Sequence, residues 1–385
     1  MILLYTHSFS PNIGGVETYV MLLAKGLAKR YSEHTGPPSV TVVTATQAEG
    51  FEDHSLPFAV MRRPAFSQLL RLIQKADVVH LAGPCLLPLA LALVLRKHVV
   101  MEHHGYQACC PNGLLLHQPT QTVCPGHFLQ RRYGECVRCE RTVRSGWRSV
   151  ASVFVALPRR WLCTRVTANL CITDHLRQRL GLPRSCVVYY GIPEQTPVQR
   201  PAPGAITFAY VGRLVSEKGL GLLLAAAKRL ADEGWAFSLK FVGDGPLRPE
   251  LEQETRQLGL VGRVQFTGFL SGESLQAAMD DVAVVVMPSV WEETAGLAAM
   301  EQMMRGRLVI AADIGGLSEV VGSAGLKFRP GDAGALADCE KRVLEHPEVI
   351  AELGSKAHAR AIQLFRDERM VEEHLRLYRE LLPVS

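Results

Sequence analysis

The sequence predicts an α/β fold made of two doubly wound, Rossmann-like domains. Three observations lead there. Short Val- and Ile-rich runs alternate with helix-period segments along most of the 385 residues, the pattern of βαβ units on a parallel sheet. A chain of this length exceeds what one core organises and fits two domains. A proline-rich stretch without periodicity, residues 191–204, separates the two series and reads as the linker. Two such domains facing each other would leave an interdomain cleft where strand carboxyl ends converge and ligands bind. The composition, 48% hydrophobic, 21% charged and 7% aromatic, excludes a disordered, collagenous or coiled-coil chain.

In the first series the apolar runs place strands at 2–6, 39–44, 76–81, 99–103, 168–172 and 186–190, with helices including 16–30 and 175–180. The chain opens on Ile2-Leu3-Leu4 with no basic leader or cleavage site, so the expectation is a cytosolic protein. The apolar window 78–95 approaches the length of a membrane span, but His80, Gly83, Pro84 and Pro88 interrupt it, and it reads as strand, turn and helix. Residues 105–145 fit neither period and hold five of the ten cysteines, so they form an insertion in the first domain, residues 1–190. The second domain, 204–365, carries strands at 206–211, 238–242, 264–266, 282–287 and 308–311, alternating with helices at 220–233, 249–258 and 295–305. A last helix, 367–382 within the 366–385 tail, repeats Met370, Val371, His374, Leu375, Leu377, Tyr378 and Leu381 at helical spacing and must pack on something.

The chemistry concentrates in two segments of the second domain. After the strand ending at Met287, Thr294 reads as a helix N-cap and Gly306 as its C-terminal cap, so Ala295, Gly296 and Leu297 open a helix. The free N–H groups of such an end accept a phosphate closely where the residue is small. Glu293 and Glu301 would border the same ligand, and because carboxylates repel phosphate their partners would be sugar or ribose hydroxyls. The alternative is a capped helix with two solvated glutamates. The other segment, Val211-Gly212-Arg213-Leu214-Val215-Ser216-Glu217-Lys218-Gly219, is a glycine loop with two cations, which would clamp a diphosphate or remain solvated.

Together with Pro11-Asn12-Ile13-Gly14-Gly15-Val16-Glu17, Gly243-Asp244-Gly245-Pro246, Phe266-Thr267-Gly268 and Asp313-Ile314-Gly315-Gly316-Leu317-Ser318-Glu319, these segments resemble the retaining glycosyltransferases of the GT-B fold, family 4. The resemblance covers nearly the whole chain. It implies a nucleotide-diphosphate sugar, of UDP or GDP type, held mainly by the second domain: Arg213 and Lys218 on the diphosphate, Gly243 and the Ala295-Gly296-Leu297 turn beside it, Glu301 on the ribose and Glu293 on the sugar. It also implies an acceptor on the first domain, Gly14 and Gly15 near the phosphates, His104 near the reacting sugar, no metal or other cofactor required for catalysis, and a final helix crossing back onto the first domain. Either His103 or His104 could face inward, since strand neighbours point oppositely, and His104 is the choice. The chain departs from the family pattern at Ala295, Gln302, Arg307-Leu308 and Tyr190, none of them a phosphate or hydroxyl ligand.

Cys110, Cys124, Cys136 and Cys139, beside Cys109, His117 and His127, have spacing that fits a structural zinc, with an iron–sulfur cluster or free thiols as alternatives. Residues 1–190 carry a formal charge of +11 and the remainder −6, so an anionic partner belongs to the first half. Between residues 131 and 165, Arg131, Arg132, Arg138, Arg141, Arg144, Arg148, Arg159, Arg160 and Arg165 interleave with Trp147, Val150, Val153, Phe154, Leu157 and Trp161, broken at Pro158. This suits an anionic membrane surface and a lipid-linked or glycan acceptor, making the protein peripheral at the inner membrane face. Competing readings are a nucleic-acid-binding protein with a nucleotide-sensing second domain, for which repeated fingers and aromatic platforms are lacking, and a sugar-nucleotide epimerase or phosphorylase of the same fold.

Overall fold

The structure is a computed structural model that describes residues 1–12, 14–32, 40–198 and 206–382. Ile13 of the glycine segment, Ser39 of the second expected strand and residues 199–204 of the expected linker lie outside the described residues. The chain divides into two compact units, one formed by residues 1–193 with 366–385, the other by 194–365.

The first unit contains β1 (Ile2–Thr6), α1 (Gly15–Ser32), β2 (Val40–Thr44), β3 (Ala59–Arg62), α2 (Phe66–Lys75), β4 (Val78–Ala82), α3 (Leu86–Val94) and β5 (His98–His103). It continues through β6 (Leu116–His117), β7 (Thr122–Val123), α4 (Tyr133–Glu140), α5 (Trp147–Cys163), β8 (Ala168–Cys171), α6 (Asp174–Leu180) and β9 (Ser185–Val187). Seven of its strands form a parallel sheet in the order β3-β2-β1-β4-β5-β8-β9, while β6 and β7 make a separate antiparallel pair inside the insertion. Its central strands are buried along their length, which is why they read as continuous apolar runs. The edge strand β3 is half-exposed, carries no such run and escapes a reading by periodicity.

The second unit holds β10 (Ile206–Val211), α7 (Leu220–Asp232), β11 (Phe237–Val242), α8 (Arg248–Gln257), β12 (Val264–Gly268), α9 (Gly272–Met279), β13 (Val282–Met287) and α10 (Leu297–Met304). It ends with β14 (Leu308–Ala312), α11 (Gly315–Val321), β15 (Leu326–Phe328), α12 (Ala333–Glu345) and α13 (Glu348–Leu364). The sheet order is β12-β11-β10-β13-β14-β15, all parallel, so the winding reverses between β10 and β13. The carboxyl ends at such a reversal are where an open α/β sheet leaves room for a ligand.

The final helix α14 (Asp367–Leu381) belongs to the first unit and packs on α1. Met370, Val371, His374, Leu375 and Tyr378 are its buried face, all of them among the residues whose helical spacing called for a partner. A side chain at Gly26 of α1 would collide with Val371, so the two helices approach through a glycine.

Candidate active site

Four loops leave the carboxyl ends of β10, β11, β13 and β14, and backbone hydrogen bonds stitch them together. Gly212 N–H donates to the Val242 carbonyl at 2.9 Å, Leu214 N–H to Asp244 at 2.9 Å, Val290 N–H to Glu217 at 3.1 Å and Gly316 N–H to Glu293 at 2.7 Å. Glycine makes this possible. A Cβ at Gly243, whose φ is +138°, would lie 2.0 Å from the Gly212 carbonyl oxygen, and one at Gly316 would lie 2.2 Å from that of Thr294.

Within this cluster Lys218 and Glu293 meet. Lys218 Nζ is 2.8 Å from Glu293 Oε1, and the ammonium also lies 5.9 Å from the centre of the Trp291 ring. Glu293 is only 5% exposed, and the Ser289 hydroxyl donates to the same Oε1. Arg213 sits exposed on the loop that carries Lys218, its carbonyl accepting from the Tyr210 hydroxyl at 2.8 Å. Glu301 is half-buried on α10, and burial pushes its carboxyl above the usual carboxylate range, opposed by Arg305.

The helix start differs from expectation. Thr294 is not its N-cap, and Ala295 and Gly296 are not helical. Gly296 takes the left-handed φ of +79° and serves as the cap, so α10 begins at Leu297. The chain is held off the helical path because the Glu293 and Thr294 carbonyls pack against Gly316. Ala295 and Gly296 are buried under this turn, and the first N–H groups of α10 have no acceptor within the helix. Glu293 precedes the helix, as expected, and Glu301 lies within it.

In the first unit His104 follows β5. Its Nδ1 is 2.8 Å from the Tyr190 hydroxyl, its Nε2 3.7 Å from Glu102 Oε2, and its ring stacks on Tyr190 and meets Tyr19 edge-on. His103 turns the other way, bonded to Asn169 at 2.9 Å. Burial lowers both imidazoles to about 4. Behind them His80 bonds Glu102 at 2.9 Å and the Tyr378 hydroxyl at 2.7 Å, while His374 bonds the Tyr19 hydroxyl at 2.9 Å and the Met370 carbonyl at 2.7 Å. The donor atoms of His80, Glu102 and His374 lie within 4.8 Å of one another. All four ring nitrogens of the two histidines are already hydrogen-bonded, so this is a buried polar network linking α14 to the sheet rather than an ion cage. Gly14 accepts from Thr18 N–H at 3.1 Å as α1 opens at Gly15, and a Cβ at Gly14 would run into the Glu17 carboxylate.

In the insertion, Cys110, Cys124, Cys136 and Cys139 line one small cavity, from which Cys109 is absent. The basic segment spans two helices, α4 and α5, with Arg131, Arg132, Arg138, Arg141 and Arg144 before α5; α5 itself runs unbroken through Pro158, so the expected break there does not occur. Trp147, Phe154 and Trp161 are 75%, 66% and 56% exposed. Arg159 and Arg160 are tied to the carbonyls of Gln107 and Ala108, whereas Arg141, Arg144, Arg148 and Arg165 are exposed. Among the described residues no helix is long and apolar enough to cross a membrane.

Residues 13–195 match the model of Glycosyltransferase Family 4, and residues 205–346 that of Glycosyl transferases group 1. The chain belongs to glycosyltransferase family 4. Over 276 residues this family 4 chain is 41% identical to the 2-deoxystreptamine glucosyltransferase of Streptomyces kanamyceticus, a stretch covering 69% of this chain and 66% of that protein. It is 34% identical over 150 residues to the alpha-D-kanosaminyltransferase of the same organism, covering 38% of this chain and 39% of the relative. The chain thus spans less than two thirds of the length of these relatives. Among solved structures, HepE of Anabaena in complex with UDP has a TM-score of 0.72 at 19% identity, covering 98% of this chain and 99% of that one. Sucrose-phosphate synthase from Thermosynechococcus elongatus has a TM-score of 0.72 at 20% identity, covering 100% and 99%. The two parallel-sheet units are therefore those of the GT-B fold.

Sequence reasoning on this family 4 chain missed Ser289 and Trp291, which flank the Lys218–Glu293 pair, and Tyr19, Tyr190 and Glu102, which surround His104. Ser289 and Trp291 sit in the same Pro-Ser-Val-Trp-Glu-Glu run as Glu293, and proximity in sequence could have raised them. Glu102 is a carboxylate inside an otherwise apolar strand, itself a signal of a paired buried charge. Tyr19 and Tyr190 are remote in sequence from His104, and no local pattern announces them.

Proposed function

We propose that the chain transfers a hexose from a uridine-diphosphate sugar to an acceptor hydroxyl with retention of anomeric configuration. The observation that carries this reading is the Lys218–Glu293 pair at 2.8 Å among glycine-closed loops at the sheet reversal of the second unit. A buried carboxylate is suited to a sugar hydroxyl, and the adjoining ammonium, with Arg213 on the same loop, is suited to the diphosphate. Both cations would stabilise the charge that grows on the β-phosphate as the bond from phosphate oxygen to the anomeric carbon breaks. Gly243 and the Ala295-Gly296-Leu297 turn give the phosphates backbone to approach, and Glu301 takes the ribose hydroxyls from a partly desolvated position where hydrogen bonds are strong. From the first unit the same reading takes Gly14 and Gly15 for the phosphates and His104 for the transferred sugar. With its pKa lowered to about 4, His104 is a neutral imidazole at pH 7 and hydrogen-bonds a hydroxyl without adding positive charge.

For the acceptor, the reading is a lipid-linked or glycan substrate met at the cytoplasmic face of an anionic membrane. Its support is the stripe Trp147, Val150, Phe154, Leu157 and Trp161, exposed at three- and four-residue spacing and flanked by exposed arginines. A second reading, a small aminocyclitol acceptor, is supported by the relative named as a 2-deoxystreptamine glucosyltransferase.

A thermal-shift titration with UDP, GDP, ADP and their hexose conjugates tests the donor. Stabilisation by UDP and UDP-hexose that disappears in Lys218→Ala is expected, and no shift with any nucleotide overturns the reading. Flotation with phosphatidylglycerol vesicles tests the membrane part, with Trp147→Ala/Trp161→Ala expected to stay with the soluble fraction. Failure of the wild-type chain to float, with transfer to 2-deoxystreptamine, would favour the aminocyclitol reading.

A further inference from the structure

The insertion between β5 and α5 carries little regular structure. From residue 105 to 145 its regular structure is two strands of two residues and one helix of eight residues. One apolar cluster joins Phe128 and Cys136 to Val153 and Ala156 of α5, edged by Tyr133 and Val137, and Tyr106, Leu115 and Leu116 are buried elsewhere in the insertion.

Four cysteines far apart in sequence nevertheless converge. Cys110 lies in a turn closed by Gly113 N–H donating to its carbonyl, and Cys124 follows β7 with its N–H on the Leu115 carbonyl at 2.8 Å. Cys136 and Cys139 stand one turn apart on α4, so they share a helix face. All four are buried, all are free of disulfides, and they line one cavity of about 10 Å³. That space is close to one water-sized sphere, roughly 10–15 Å³, enough for a single ion. The surroundings of the sulfurs hold acceptors and donors: Cys110 Sγ donates to Asn112 Oδ1 at 3.1 Å and Cys139 Sγ to the Leu116 carbonyl at 3.5 Å, and Glu135 and Glu140 line the same cavity. Gln118 N–H points at Cys139 Sγ at 3.4 Å, the Asn112 amide donates to it at 3.7 Å, and the Arg179 guanidinium binds the Cys124 carbonyl at 2.8 Å. In the same cavity wall the buried His117 Nε2 and His127 Nδ1 have no hydrogen-bond partner.

We infer that Cys110, Cys124, Cys136 and Cys139 bind one structural zinc ion that organises the insertion and, through α4, the seat of α5. Binding replaces four thiol protons, released to solvent, by four Zn–S bonds. No three of the sulfurs lie within 4.8 Å of one another. A tetrahedral ion with Zn–S near 2.3 Å would draw them to roughly 3.8 Å by side-chain rotation. Four protein ligands leave no open position, so the ion takes no part in transfer.

Metal analysis of the full-length chain by inductively coupled plasma mass spectrometry tests this. About one zinc per chain is expected, released when a mercurial titrates the thiols, with X-ray absorption showing four sulfur neighbours. Zinc below a tenth of an equivalent in folded chain that still gives the UDP thermal shift would overturn the inference. Iron with visible charge-transfer absorption, or a three-sulfur, one-nitrogen shell that includes His117 or His127, would also overturn it. Cys136→Ser/Cys139→Ser should lose the metal and expose residues 105–145 to limited proteolysis, while Cys186→Ser, outside the insertion, should keep both metal and resistance.

Discussion

Two residues carry the sharpest tests. Lys218 and Glu293 form an ion pair in which the carboxylate is nearly buried and the ammonium is only partly so. Replacing Lys218 by Ala removes a cation from the diphosphate side and leaves Glu293 with Ser289. Replacing Glu293 by Ala removes the carboxylate assigned to the sugar. In both variants transfer from a UDP-sugar is expected to fall by at least about 100-fold, the scale of losing one charge-stabilising group, while circular dichroism remains that of the wild type. Near-normal initial rates in both would remove these residues from the site. Gly243 answers a structural question instead. A methyl group there meets the Gly212 carbonyl oxygen at 2.0 Å on a backbone with φ of +138°, so Gly243→Ala must displace one of the two loops. The melting temperature of the second unit is expected to drop, and donor-induced stabilisation to vanish with it.

At the scale of elements, α14 is held by chemistry as well as by packing. Tyr378 donates to or accepts from His80 at 2.7 Å inside the first unit, and both side chains are buried. Tyr378→Phe keeps the ring and strands the His80 nitrogen, a cost of about 1–3 kcal/mol. Urea unfolding should show that loss, and an unchanged midpoint would mean that water takes the place of the hydroxyl. The elements also show where local pattern suffices. Strands β1, β10 and β13 are buried runs of five or six residues, and their bounds were legible to the residue. β3 and β15 lie at sheet edges, short and without such runs, and were missed. Helix α10 was legible as an element but not at its start, because the turn of Gly296 is set by contact with Gly316, some twenty positions on, which no local propensity encodes. The convergence of the four cysteines is of the same kind: the CxxC pair follows from spacing, while the arrival of Cys110 and Cys124 depends on the path of the insertion. The partners of His104 depend in the same way on sheet register and on the packing of α1.

Across the whole molecule, burial shifts a group of histidines in the first unit and the Glu340 carboxyl in the second. In the first, His80, His103, His104 and His374 are kept neutral by burial, with pKa values lowered from 6.5 to about 3 or 4. Above pH 6.5 these histidines contribute no pH dependence. As pH falls from 6.5 towards 4 the unfolded chain takes up protons that the folded unit refuses, so stability is lost, at up to about 1.4 kcal/mol per pH unit for each histidine. In the second unit burial raises Glu340 to about 8. That carboxyl stays protonated in the folded state while its unfolded counterpart ionises near 4.5, so its penalty grows from pH 4.5 to 8 and is relieved by acid. Acidification from pH 7.5 to 5.5 should therefore weaken the first unit while sparing or strengthening the second. Hydrogen-exchange mass spectrometry at the two pH values, corrected for intrinsic exchange, resolves them: protection should fall in β4, β5 and α14 but not in β13 or α12. His103→Gln should lessen the response of the first unit by one histidine's share, and Glu340→Gln should raise the protection of the second at pH 7.5. Equal loss of protection in both units on acidification would mean that the buried histidines are not the groups that set the response.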